Sequence, residues 1–175
     1  MNNALISLPE DDTHYSAGSI SHPLSDQLHN EPTNLNEVVQ ENLIALKQKI
    51  ENLQAIIRYD SLPIVKGEKI ELSKLFNKLF NSIIDHPPVD NKLFIYIRSE
   101  KQKNEELDLF VPEGYLLYHV SIYTNIKTDS NWEQLHKHDI EASIDIVKTI
   151  KGKFNYNQIA NTGCLYNIEL FGKIL

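Results

Sequence analysis

From Lys74 to Ile97 the chain reads KLFNKLFNSIIDHPPVDNKLFIYI, and its hydrophobic rhythm changes halfway. Up to His86 the apolar residues recur every three or four positions, the period of a helix face; after Asn91 they alternate, the period of a strand. GEKIELSKLFNKLFNSIID therefore predicts a helix with Leu72, Leu75, Phe76, Leu79, Phe80, Ile83 and Ile84 turned inward. Upstream, NLNEVVQENLIALKQKIENLQ predicts an amphipathic helix capped by Asn34 or Asn36. Its apolar stripe is Leu35, Val38, Val39, Leu43, Leu46, Ile50 and Leu53. AIIRY reads as a short strand ended by DSLP. KLFIYIRSE and YLLYHVSIY read as two longer strands, separated by the charged loop KQKNEELDLFVPEG.

After the last of these, TNIKTDSNWEQLHKHD reads as irregular or weakly helical. IEASIDIVKTIK predicts a third helix, and GKFNYNQ with GCLYNIELFG a closing hairpin. The order helix, strand, helix, strand, strand, helix, strand, strand predicts an α+β two-layer sandwich, a mixed β-sheet with three helices on one face. Leu75, Leu79, Ile83, Ile122, Ile144 and Val147 are its expected shared core. Residues 1–33 are rich in Ser, Asn, Asp, His and Pro without a sustained apolar period, and are expected to be a disordered tail or linker remnant. The domain is expected at 34–175.

Composition narrows the picture. The chain has 175 residues, 41% hydrophobic and 23% charged, enough for one domain with a real core. No apolar run is long enough to span a bilayer, and the first residues lack the basic start and apolar stretch of a signal peptide. The single cysteine, Cys164, fits a reducing compartment, so the expected location is cytoplasmic with no membrane insertion. A net charge of −7 argues against nucleic acid, because lysines at 148, 151 and 153 sit among Asp139, Glu141 and Asp145.

The wording of the helix and strand phrases resembles the ATP-binding domain of sensor histidine kinases, the GHKL or Bergerat fold. The stretch NLNEVVQENLIALKQKIENLQAIIRYDSLPIVKGEKIELSKLFNKLFNSIIDHPP is similar to the entry of that domain, and TGCLYNIELF to its close. The resemblance runs from about Leu35 to Leu175. It implies a pocket for ATP and Mg²⁺ built from three motifs, and each departs from the family's pattern here. Where the family sets two asparagines four apart on the helix, the second a Mg²⁺ ligand, this chain has Lys78 and Ser82. An ammonium has no lone pair for a cation, and a hydroxyl is a poorer ligand than an amide oxygen.

In the second motif, DxGxG, the resemblance sets Thr124 at the adenine-binding aspartate and Ile126 and Thr128 at the glycines. Glycine lets backbone approach a ligand closely, whereas β-branched side chains obstruct it. The third, a glycine-rich lid whose amides cradle phosphate, is replaced by LHKHDIEASIDIV, and no glycine occurs between Gly114 and Gly152. SISHPL at Ser19–Leu24 echoes the family's phosphoacceptor histidine, but proline breaks the helix that motif needs. The resemblance therefore implies a degenerate domain with ATP and Mg²⁺ binding lost, no catalytic residue and no metal site. Its expected role is non-catalytic docking onto a response regulator or a sensor kinase. The alternative is a nucleotide-binding kinase or ATPase domain with a remodelled pocket.

Other residues invite chemistry. Asn77, Asn81 and Asp85 stack at four-residue spacing, as a ligand site or as a wet helix face. His136 and His138, with His119 and Asp139, are weak metal-ligand candidates. Cys164 with His119 is a nucleophile–base candidate, set against a small buried thiol. Trp132, the only tryptophan, falls where the lid would lie, as a plug or a partner anchor.

Overall fold

The computed structural model describes residues 32–89, 91–102, 114–127, 130–159 and 162–173, with only the backbone described for 130–135 and Lys173. The elements run β1 (Pro32–Asn34), α1 (Leu35–Ala45), α2 (Lys47–Asn52), β2 (Ile56–Tyr59), β3 (Ile64–Lys66) and α3 (Lys69–Ile84). They continue with β4 (Phe94–Lys101), β5 (Tyr115–Thr124), α4 (Ser130–Thr149), β6 (Lys153–Ile159) and β7 (Gly163–Lys173). The sheet has the order β1-β3-β7-β5-β4-β2, with β6 also on β7. All pairs are antiparallel except β2 with β4, so the sheet is mixed. That one parallel pair requires a crossover, and α3 supplies it.

Asn34 caps α1: its Oδ1 accepts from the Asn36 backbone N–H at 3.0 Å. Asn36 instead clamps the distant loop, its side-chain amide donating to Leu62 O at 2.8 Å and accepting from Leu62 N at 2.9 Å. The single helix expected over this stretch is two, broken at Leu46, whose ψ of 5° departs from helical geometry. Hydrogen bonds bridge the break, Leu46 N to Asn42 O and Ile50 N to Leu46 O, so the i to i−4 ladder runs on from α1 into α2.

One core lies between the helices and the sheet. α3 contributes Leu72, Leu75, Phe76, Leu79, Phe80, Ile83 and Ile84, none more than 2% exposed. Opposite them stand Ile95, Ile97, Val120, Ile122, Tyr166 and Ile168, all fully buried. Val147 on α4 is buried and Ile144 packs against the core at half burial. Burying a side chain of this size contributes roughly 1.5–3 kcal/mol. Tyr115–Thr124 is a strand, as expected. α4 begins ten residues before the helix expected there, at Ser130, and so absorbs most of the stretch that reads as irregular. Of the tail expected at 1–33, residues 1–31 lie outside the described residues, while Pro32 and Thr33 belong to β1, Thr33 being 6% exposed with its hydroxyl donating to Gly67 O at 2.6 Å.

Candidate functional site

α3 has three working faces. The apolar one lies on the sheet, and the other two meet helices on either side. Toward α2, the Lys49 ammonium binds Asn81 Oδ1 at 3.0 Å and Asp85 Oδ1 at 2.8 Å. Asn81 donates back to Asn77 O at 2.9 Å and its Oδ1 at 3.1 Å. The Asn77–Asn81–Asp85 stripe is thus a solvent-facing helix stripe tied to Lys49 on α2.

Toward α4, α3 makes two polar contacts. Lys78 Nζ lies 3.0 Å from Asp139 Oδ1, with both side chains about one-third exposed (33% and 39%). Past the helix end, His86 meets His136, Nδ1 to Nε2 at 2.9 Å, with the rings edge-on at 4.3 Å between centroids. His136 is 7% exposed, and burial lowers its pKa below the usual histidine value. The neighbouring His86 lowers it further, while Asp139 and Asp85 partly offset both effects.

Between these contacts sits Ser82, 2% exposed, its hydroxyl donating to the Leu79 carbonyl of its own helix at 2.9 Å. Beneath it the sheet carries a line of buried polar groups. Burial pushes the Tyr166 phenol far up, and the adjacent Cys164 reinforces the shift. The Ser82 hydroxyl beside it acts in the opposite sense. Burial likewise pushes the Cys164 thiol to about 11. Thr124 pairs with Cys164 across β5 and β7 and is fully buried. Neither Thr124 Oγ1 nor Tyr166 Oη has a partner in hydrogen-bond geometry. Ile126, 1% exposed, joins the core. Gly163 lets the strands close here, since a Cβ on it would overlap the Thr124 carbonyl.

Four of the five positions singled out in the sequence therefore belong to the junction of α3, α4 and the ends of β5 and β7. Lys78 is in an ion pair, Ser82 is bonded to backbone, and Thr124 and Ile126 are buried; Thr128 lies outside the described residues. The side chain of Trp132 also lies outside them.

The histidines of the metal reading do not converge. His138 is exposed, and His119 sits on the opposite sheet face with Nε2 2.8 Å from Gln102 Oε1. Among the described residues no three His, Cys, Asp or Glu side chains are grouped to hold a metal ion. Cys164 and His119 also face opposite sides of the sheet. His119 pairs with Glu169, five residues along β7 from Cys164, or about 17 Å of strand. A thiol with a pKa near 11 stays protonated at neutral pH.

His86 is the residue that sequence reasoning missed. It follows the end of α3 in the phrase DHPP, fifty residues from its partner, and only the packing of α3 on α4 joins them.

This architecture is that of histidine kinase catalytic domains. The catalytic domain of histidine kinase ThkA, nucleotide-free, superimposes with a TM-score of 0.61 at 16% identity, covering 82% of this chain and 97% of that one. The mycobacterial sensor histidine kinase MprB gives 0.60 at 12% identity, covering 83% and 99%. Acinetobacter baumannii histidine kinase AdeS gives 0.56 at 15% identity, covering 84% and 71%. At these identities the likeness is one of fold. No protein-family model matches the chain, and no curated protein matches it in sequence. Among the described residues no helix is long and apolar enough to cross a membrane.

Proposed function

We propose that this chain is a degenerate histidine-kinase ATPase-like domain, working in the cytoplasm as a non-catalytic docking module of two-component signalling. Its partner on this reading is a response regulator or a sensor kinase. The observation that carries it is the state of Lys78 and Ser82. The Lys78 ammonium is held by Asp139, and the Ser82 hydroxyl is buried and spent on the Leu79 carbonyl. The ammonium has no lone pair for a cation, the Ser82 oxygen keeps its lone pairs but is only 2% exposed beside α3, and Thr124 and Ile126 are buried. A domain that keeps its fold but fills its pocket is suited to presenting surface.

A second reading, a nucleotide-binding domain with a remodelled pocket, draws support from the unpartnered hydroxyls of Thr124 and Tyr166, which a ligand could satisfy. Thermal unfolding with and without Mg-ATP, Mg-ADP and Mg-GTP separates the two. The docking reading expects no change in the midpoint with any of them. A rise of several degrees with one nucleotide would favour the remodelled pocket.

A further inference from the structure

β2 ends the sheet. It pairs in parallel with β4, and among the described residues no strand lies on its other side. Ile56 N donates to Leu93 O at 2.8 Å and Asp60 N to Ile97 O at 3.0 Å. Residues 56, 58 and 60 thus face β4, while the N–H and C=O of Ile57 and Tyr59 point out of the sheet. Natural edges are commonly blunted by lysine, proline or a covering element. This edge instead shows Ile56 at 44% and Tyr59 at 40% exposure. On its helix side runs an apolar groove of about 310 Å³ that includes Leu43, Ile44, Ile50, Ile57 and Tyr59.

The charges on the strand complement themselves. Arg58 and Asp60 are two residues apart, so both side chains lie on one face of the strand. They line one hollow with Tyr96, whose hydroxyl donates to Asp60 Oδ2 at 2.7 Å. Two copies of the strand laid antiparallel about Tyr59 bring Arg58 opposite the partner's Asp60, and Asp60 opposite the partner's Arg58. One strand then supplies both halves of two cross-strand ion pairs, as a two-fold interface demands. A register centred on Arg58 would instead set two guanidinium groups against each other.

We propose that β2 is a self-association edge. A second copy of this chain pairs antiparallel with it about Tyr59, joining the two sheets into one. Tyr59 exchanges two backbone hydrogen bonds with the partner's Tyr59, and the apolar grooves beside the two strands meet across the axis.

Sedimentation equilibrium and directed cross-linking test this. The wild type is expected to move from monomer to dimer mass as its concentration rises. Tyr59→Pro removes an outward N–H without touching the bonds to β4. It is expected to weaken association at least tenfold while its circular dichroism is unchanged. In a hydrogen-bonded antiparallel pair the Cα atoms lie about 5.5 Å apart, within disulfide reach. Tyr59→Cys is therefore expected to form a disulfide dimer on mild oxidation and Arg58→Cys is not. Cys164, buried with its thiol at about 11, stays silent. Monomer mass at all concentrations up to about 1 mM would overturn the proposal. So would equal cross-linking at positions 58 and 59, which also decides the matter should the proline variant fail to fold.

Discussion

The Lys78 ammonium on α3 lies 3.0 Å from the Asp139 carboxylate on α4, across sixty-one residues of sequence. The contact joins the two helices that flank the candidate site. The charge of Lys78 is thereby used in helix packing.

Because both partners are about one-third exposed, the pair is worth only about 0.2–1 kcal/mol. Lys78→Ala and Asp139→Ala are each expected to lower stability by about that much. The double variant should lose less than the sum of the two, as measured by urea unfolding in a double-mutant cycle. Strict additivity would mean that the two side chains do not interact.

His136 makes stability depend on pH. Burial and His86 hold its folded pKa below the ordinary value of 6.5, so below that pH the unfolded chain binds a proton that the folded one resists. The contribution is whole above pH 6.5 and falls away as pH drops toward the folded pKa. The melting midpoint is expected to fall more steeply between pH 7 and pH 5 in the wild type than in His136→Gln. Parallel pH profiles for the two proteins would contradict this.

The Tyr166 hydroxyl lies beside Ser82 and Cys164 but in good hydrogen-bond geometry with neither, and it gives a prediction of the opposite sign. Removing a buried polar atom that makes no hydrogen bond relieves its desolvation cost, which is about 1–3 kcal/mol in the extreme. Tyr166→Phe is therefore expected to leave the urea midpoint unchanged or raise it. A clear loss of stability would show that the hydroxyl is engaged in solution, with Ser82 and Cys164 as the nearest candidates.

Much of this architecture is legible in the sequence because long periodic segments announce themselves. The stripe from Leu72 to Ile84 and the alternation from Phe94 to Ile97 each leave one reading. What is not legible has physical reasons. β1 and β3 are three residues long, too short for a period of two to declare itself. The break at Leu46 interrupts no apolar stripe, because the residues on both sides keep the same face to the core. The first half of α4 is polar and carries two histidines, so its sequence lacks the stripe that marks Ile140 to Val147. At the site, spacing and resemblance placed Lys78, Ser82, Thr124 and Ile126, but not their contacts. Asp139 and His136 reach α3 only through tertiary packing, which no local pattern encodes.

The most direct measurement is isothermal titration of the wild type with Mg-ATP. A site of micromolar affinity has about 8 kcal/mol of binding free energy in all. Each hydrogen bond lost to a charged group removes about 1.5–3 kcal/mol of it. On the proposed reading, a buried threonine hydroxyl at 124 replaces a carboxylate acceptor, a buried serine hydroxyl at 82 replaces an amide ligand and no glycine occurs between Gly114 and Gly152, so almost nothing is expected to remain. The net charge of −7 adds repulsion toward a triphosphate. The expected result is no saturable heat at millimolar nucleotide, with or without Mg²⁺. Ser82→Asn is expected to give the same flat trace, because Ile126 would still block the approach. Saturable binding by the wild type with a dissociation constant below about 100 μM would contradict the account and leave the remodelled pocket in its place.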